Sequence, residues 1–262
     1  MGIEGKNVVI TGASSGIGEH LAFEVAKRGA TPILLARSEE KLARMADEIK
    51  SAYSVPCFFY RLDVSDVLAS EEVFMKIENN HGDVDILVNN AGFGLFQNVE
   101  DIDLDEMRRM FAVNVFGLIA CTKLVYSSMM KRKGGHIINI ASQAGKMATP
   151  KSSVYAATKH AVLGFTNSLR MEAAQYGVFV TAVNPGPVKT NFFQRADTSG
   201  SYEKNVKKIM LDVEYVACRV ADIMLTPTRE VNIPGWMSAG SKLYQLFPGI
   251  VERIGGKAFF KK

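Results

Sequence analysis

The sequence predicts an α/β fold built on a doubly wound parallel sheet. Short runs that are apolar along their whole length alternate with amphipathic stretches of helical length, in the order βαβα. The apolar runs lack the in–out alternation of a strand with one wet face, so they belong to a sheet covered on both sides. Right-handed crossovers between parallel strands put the helices on both faces. Hydrophobic residues make up 47% and charged residues 22% of the 262 positions. That is ordinary for a globular chain large enough to build its core without cross-links.

The elements follow in order. Residues 6–11 (KNVVIT) read as the first strand and 17–28 as a helix ended by Gly29. A second strand spans 33–36 and a second helix 38–50. A third strand spans 57–61, followed by a helix over 65–80. Residues 86–88 form a fourth strand. A long helix covers 103–133, with Asp103 and Glu106 as a capping pair. Its end carries Lys131, Arg132 and Lys133, where cations suit the helix dipole. Residues 136–140 form a fifth strand. A helix over 153–176 is stopped by Gly177, and a sixth strand over 178–183 is stopped by Pro185-Gly186-Pro187. Neither repeat nor linker divides the chain, so residues 1–262 are expected to form a single domain. Residues 190–211 mix Phe192 and Phe193 with Ser, Gly and Lys, the composition of a substrate loop or of an ordinary surface excursion.

Several function classes are disfavoured. Cys57, Cys121 and Cys218 are odd in number and far apart, which implies free thiols in a reducing, cytoplasmic setting. His20, His81, His136 and His160 match no metal-ligand spacing and are expected at the surface or at helix ends, so no metal is expected. A net charge of +4 without a dense basic run argues against nucleic acid. The start, MGIEGKNVVI, has neither a signal-peptide core nor a myristoylation motif, and no 18-residue apolar run suggests a spanning helix.

The chemistry begins at Thr11-Gly12-Ala13-Ser14-Ser15-Gly16-Ile17-Gly18, between the first strand and the first helix. That context is the one a dinucleotide-binding, Rossmann-type turn requires, here with the spacing G-x3-G-x-G. Gly12 permits the tight turn, Gly16 the approach of phosphates, and Gly18 the close packing of helix on strand. The helix N-terminus then offers free N–H groups and a positive dipole end to a pyrophosphate. The second strand ends in Ala36-Arg37-Ser38 with no carboxylate before Glu39. A carboxylate there would favour a free ribose 2′-hydroxyl. Arg37, with Ser14 or Ser38, suits a 2′-phosphate instead, so the cofactor is expected to be NADP(H).

Tyr155 and Lys159 stand four apart on one helix face. Ser142 lies just past the fifth strand, at the carboxyl edge where such sheets bind ligands, and Asn114 lies within the long preceding helix. Carbonyl reduction needs a proton as well as a hydride. A phenol ordinarily ionises near pH 10, and bringing it to about 7 takes roughly 4 kcal/mol. One nearby cation supplies about 1.4–4 kcal/mol, so Lys159 alone is marginal and the charge of an oxidised nicotinamide can add the rest. Ser142 can orient the substrate oxygen.

With these residues the chain resembles the short-chain dehydrogenase/reductase family, in its subgroup of roughly 250-residue enzymes, over about residues 6–190. The resemblance rests on TGASSGIG at 11–18, Asp63-Val64, Asn89-Asn90-Ala91-Gly92, Asn114, Ser142, Tyr155-x3-Lys159 and Pro185-Gly186. It implies that Tyr155 is the proton donor or acceptor and that Lys159 binds the nicotinamide ribose and lowers the tyrosine pKa. It implies that Asn114 holds a water in a proton relay. It places Asp63 and Val64 at the adenine, Asn90 at the adjoining ribose, and Pro185, Val188 and Thr190 at the nicotinamide end.

The expected function is transfer of a hydride between NADP(H) and an apolar carbonyl or secondary alcohol, with Phe93, Phe96, Met147, Phe192 and Phe193 lining the substrate end. A cofactor-binding sensor or scaffold without turnover is the alternative, and a sugar-nucleotide epimerase a third reading. The intact Ser142/Tyr155/Lys159 set argues against the sensor; the lack of a longer C-terminal domain argues against the epimerase. Met110, Val113, Leu118, Val162, Phe165 and Leu169 look too many for one sheet face, which predicts a homodimer or homotetramer. The chain departs from the family after Glu230-Val231-Asn232-Ile233, in a C-terminal extension over 234–262. Its apolar residues (Trp236, Leu243, Tyr244, Leu246, Phe247, Ile250, Ile254, Phe259, Phe260) are interspersed with Lys242, Arg253, Lys257, Lys261 and Lys262. Packing over the cleft or a subunit is one reading, attachment to a membrane surface the other.

Overall fold

The six apolar runs pair side by side as parallel strands, and Glu230–Ile233 adds a seventh. The computed structural model describes residues 2–147, 149–197 and 200–259, so Phe260, Lys261 and Lys262 of the tail lie outside it. In chain order come β1 (Asn7–Thr11), α1 (Gly16–Lys27), β2 (Thr31–Ala36), α2 (Glu39–Tyr53), β3 (Phe58–Arg61), α3 (Val67–His81) and β4 (Ile86–Asn89). Then follow α4 (Leu104–Phe111), a π-helical segment (Ala112–Gly117), α5 (Leu118–Lys131), β5 (His136–Ile140), α6 (Ser153–Ala174) and β6 (Phe179–Pro185). The remainder holds α7 (Phe192–Ala196), α8 (Ser201–Val206), α9 (Val213–Asp222), β7 (Glu230–Ile233), α10 (Trp236–Leu246) and α11 (Pro248–Phe259). Among the described residues, 190–211 thus carry the short helices α7 and α8.

The strand order is β3-β2-β1-β4-β5-β6-β7. The chain moves outward from β1 to β3, then crosses back to β4 on the other side of β1. This reversal opens a crevice at the carboxyl ends of β1 and β4. Alternation along β1 assigns the layers. Val8 and Ile10 pack with Leu21 and Val25 of α1, Leu42 and Ile49 of α2, and Val216 and Val220 of α9. Val9 packs with Val73 and Ile77 of α3, Cys121 and Val125 of α5, and Leu169 of α6. Between β4 and β5 the buried Asn89 amide donates to Thr122 Oγ1 and Asn139 Oδ1, both at 2.9 Å, and Asn139 donates to Thr166 Oγ1 at 2.9 Å. This ladder ties α5 and α6 to the sheet, and α6 carries Tyr155 and Lys159.

Several expectations are corrected. The long helix is interrupted by the π-helical segment, so it is not one regular α-helix. By length and apolarity alone, Leu104–Lys131 could cross a bilayer (mean hydropathy 1.5 in its most apolar window), contrary to the reading of the sequence. Here it is a core helix, with Met110, Leu118, Cys121, Val125 and Met129 buried. Asp103 caps α4 by accepting the amides of Asp105 and Glu106. The reciprocal half of the capping pair is replaced, because the Glu106 carboxylate takes Arg109 at 2.6 Å. Met110, Leu118, Val162 and Leu169 are fully packed inside one chain and Val113 and Phe165 pack against the core. The outward apolar residues of these helices are instead Leu104, Phe116 and Met171.

His136 is neither at the surface nor at a helix end. It is fully buried at the start of β5. Its Nδ1 accepts the Leu225 amide at 3.0 Å, so Nε2 carries the proton and donates to Thr181 Oγ1 at 2.8 Å. The Thr181 hydroxyl donates onward to the Thr228 carbonyl. Burial pushes the His136 pKa down to about 3. The unfolded chain takes up this proton near pH 6.5 and the native state does not, so stability falls as pH drops from about 6.5 toward 3. The loss should be about 2 kcal/mol at pH 5. Thermal unfolding from pH 7 to 4 should therefore fall more steeply for the wild type than for His136→Gln; parallel curves would contradict this.

Candidate active site

The crevice is built first by β1 and β4. At Gly12 the backbone turns with φ +64°, a region open to glycine, and a Cβ there would stand 2.8 Å from Ala91 Cα. Thr11 Oγ1 accepts the amides of Asn90 and Ala91 at 3.0 Å each. The Asn90 side chain donates to the carbonyls of Thr11 at 3.0 Å and Gly12 at 3.1 Å. A Cβ on Gly18 would meet both Asn90 Nδ2 and the Gly12 carbonyl at 2.5 Å. Gly18 therefore admits the turn's own locking amide as well as bringing helix to strand. Thr11 as the hub of this lock was not anticipated; its place at the end of β1 was the available signal.

α1 begins at Gly16, and the side chain of Ser15 makes no capping bond. Among the described residues its first-turn N–H groups thus keep no side-chain partner. Gly12, Ser14, Ser15, Gly16 and Ile17 line a cleft of about 830 Å³, in the upper part of the usual range for small-molecule sites, about 300–1,000 Å³. Thr190 closes the turn from above: a Cβ on Gly16 would lie 3.3 Å from its methyl group. An uncapped helix N-terminus beside a glycine turn suits a phosphate, so the residues present fit a dinucleotide.

One end of the cleft is cationic. Arg37, Ser38, Asp63 and Val64 line it, together with Lys41 and Arg109, which sequence reasoning missed. Lys41 stands in the first turn of α2, four residues after Arg37, a place that could have revealed it. Among the described residues Arg37 and Lys41 form no ion pair, whereas Arg109 is held by Glu106. Burial alone would raise the Asp63 pKa, but the hydroxyl and amide of Ser65 and the charges of Arg37 and Arg109 hold its carboxyl below the usual range.

The other end gathers Ser142, Tyr155, Lys159, Pro185 and Val188 around the same space. Ser142 starts a short turn after β5, and its Oγ accepts the Ala144 amide at 3.0 Å. The Tyr155 ring lies against Phe96 and Phe192, with centroids 5.9 and 5.7 Å away. Lys159 Nζ donates to the Ile140 carbonyl at 2.9 Å and lies 5.8 Å from the Tyr155 ring centroid. No carboxylate pairs with it among the described residues, and burial pushes its pKa down to about 8. It therefore remains mostly cationic at neutral pH, with N–H donors beyond the one given to Ile140.

Gly18 and Asn114 do not line the cleft. Asn114 is 1% exposed and clamps the backbone of Phe93, accepting its amide at 3.0 Å and donating to its carbonyl at 2.8 Å. It also donates to Thr158 at 3.1 Å, beside Lys159. Its side chain thus shapes the floor of the site. Phe93, Phe96, Met147, Phe192 and Phe193 gather at the apolar end, where Arg195 lies over the Phe93 ring at 4.3 Å. From the tail, Trp236, Met237 and Gly240 of α10 also reach the cleft.

Comparison with known proteins gives a consistent picture. The family model for short chain dehydrogenase matches residues 6–200. The chain is 37% identical over 192 residues to the NADP-dependent 3-hydroxy acid dehydrogenase of Schizosaccharomyces pombe, covering 72% of this chain and 74% of that one. It is 38% identical over 208 residues to a dehydrogenase/reductase SDR family protein 7-like of Anopheles gambiae. That match covers 77% of this chain but 66% of the mosquito protein, just under two thirds of its length. Among solved structures, the alcohol dehydrogenase from Thermococcus sibiricus complexed with 5-hydroxy-NADP superposes with a TM-score of 0.78 at 29% identity. It covers 87% of this chain and 95% of that one.

Lys159 has a structural cost that can be measured. Its native pKa of about 8 lies below the ordinary 10.5, so the fold favours the neutral amine. The cost is full below pH 8 and shrinks as pH rises toward 10.5. Lys159→Met should abolish turnover yet stabilise the cofactor-free protein by about 1–3 kcal/mol at pH 7, with less gain at pH 10. Calorimetry at both values checks this; a variant less stable than wild type at pH 7 would refute it.

Proposed function

Because the chain belongs to the short-chain dehydrogenase family, we propose that it is an NADP(H)-dependent oxidoreductase acting on an apolar carbonyl or secondary alcohol. The observation that carries this reading is the buried ammonium of Lys159, without a carboxylate partner among the described residues, in the cleft that holds the phenol of Tyr155. A scaffold that only bound a dinucleotide could use the lysine but would have no use for a phenol set beside a charge so costly to bury. A nicotinamide cofactor bound along the glycine turn supplies or accepts the hydride. The chain's own part is to hold the substrate oxygen and move its proton. Ser142 Oγ donates a hydrogen bond to that oxygen. In reduction the Tyr155 hydroxyl gives its proton to the same oxygen, and the Lys159 cation stabilises the phenolate left behind. In the oxidative direction the phenolate takes the proton back. Asn114 serves by holding Phe93 and Thr158 in place.

Selection of NADP(H) rests on the cationic end. Among the described residues Arg37 and Lys41 lack ion-pair partners and Ser38 stands between them, a donor set suited to a 2′-phosphate. The S. pombe relative named for NADP and the T. sibiricus structure with 5-hydroxy-NADP agree with this half of the reading. The aromatic walls at Phe93, Phe96, Phe192 and Phe193 favour an apolar substrate.

Two measurements test the proposal. A panel of apolar ketones and aldehydes, read by NADPH absorbance, should yield at least one substrate. Tyr155→Phe should then lower turnover at least a thousandfold while retaining cofactor affinity; turnover within tenfold of wild type would remove Tyr155 from the acid role. Titration of both cofactors should show NADPH binding about ten- to a hundredfold more tightly than NADH, as expected for one or two charge-assisted bonds. Arg37→Asp should erase or invert that preference. Equal affinities in the wild type would refute the assignment.

A further inference from the structure

The C-terminal helices present two different faces. Inward, α10 sets Met237 against Gly186 at the cleft and buries Ser241. Outward, Trp236, Leu243, Leu246 and Phe247 recur with helical spacing and form one stripe. They are 63%, 54%, 72% and 52% exposed. α11 continues the apolar surface with Ile250 and Ile254, the latter 81% exposed. The sequence offered packing over the cleft or contact with a membrane as alternatives, yet the inward face leaves this stripe uncovered in the chain. A patch of this extent marks an interaction surface.

Charge indicates what covers it. Residues 234–262 hold five cations and a single carboxylate, Glu252, an excess that equals the formal +4 of the whole chain. Lys242 and Arg253 are exposed on the two helices that carry the apolar residues. Lys204, Lys207 and Lys208 are exposed on and just after α8, whose neighbours Val206 and Ile209 line the cleft with Trp236, Met237 and Gly240. A two-fold contact with a second copy would bring two such cationic surfaces together. An anionic bilayer instead satisfies both halves, taking apolar side chains among its acyl chains and lysines among its headgroups.

We propose that α10, α11 and the lysine-bearing turn after α8 form a docking surface for an anionic lipid bilayer. Docked this way, the protein rests with the mouth of its cleft at the lipid interface, where an apolar substrate can enter without crossing water. The docking stands by itself; only the route of the substrate rests on the oxidoreductase reading.

Trp236 is the chain's single tryptophan, so its emission reports on this face and on the adjoining mouth of the cleft. The 262-residue protein, without cofactor, should co-sediment with vesicles of phosphatidylcholine and phosphatidylglycerol at 7:3 and not with phosphatidylcholine alone. Its emission should shift to the blue and be quenched by brominated lipid. Raising salt to about 0.5 M should weaken binding, since screening shortens the reach of the lysines. Leu246→Glu and Ile250→Glu, which lie outside the cleft, should each lower the partition coefficient at least tenfold without changing the unfolding temperature. Failure to bind anionic vesicles overturns the proposal, even if turnover on soluble ketones is found. A stable dimer that Leu246→Glu dissociates also overturns it, because the stripe then serves a second copy. Vesicle binding without turnover on any carbonyl supports the docking and counts against the enzymatic reading alone.

Discussion

The site depends on the lock between the end of β1 and the end of β4. Parallel strands leave their carboxyl ends with unpaired backbone groups, and here two neighbours must diverge to open a crevice. Thr11 and Asn90 meet that demand: one hydroxyl takes two amides, and one side-chain amide takes two carbonyls. The lock works only if the two chains nearly touch, which is why glycine stands at 12 and 18. A methyl group at either place would push the turn away from β4 and spoil the phosphate-facing end of α1. The cleft is thus a by-product of how two strand ends are satisfied.

The opposite end of the cleft holds a charge that the fold does not want. Lys159 sits near the Tyr155 ring and donates to the Ile140 carbonyl, and its burial favours the neutral amine. Such a group persists when chemistry needs a cation that is not already neutralised, because a carboxylate partner would cancel the field felt by the phenol. The Asn89–Asn139–Thr166 ladder makes the arrangement tolerable by holding α6 to the sheet independently of the lysine.

The π-helical segment serves the same end. Inserting it between α4 and α5 lets Asn114 clamp Phe93 and reach Thr158 while Met110 and Leu118 on either side still face the core. Three parts of the chain, the residues after β4, the middle of the long helix and α6, are joined through one amide. Asn114 was legible as a candidate from its place in the family motif. The clamp was not, because π-helical geometry depends on what the helix must pack around, and periodicity over 103–133 reads the same with or without it.

What the sequence by itself determined is whatever depends on local pattern: six apolar runs, the glycine turn between the first strand and helix, Arg37 where a carboxylate would otherwise stand, and Tyr155 and Lys159 one helical turn apart. These follow from the period of strands and helices and from the steric freedom of glycine. The tertiary structure decided what depends on neighbours distant in sequence. It put Lys41 and Arg109 beside Arg37, turned Glu106 from its capping partner to Arg109, and buried His136. It also packed inward the apolar residues that had suggested a subunit contact and left the tail's outer stripe bare. Burial and partner choice are set by which surfaces the sheet brings together, and a linear pattern of apolar residues does not say which of them will be covered.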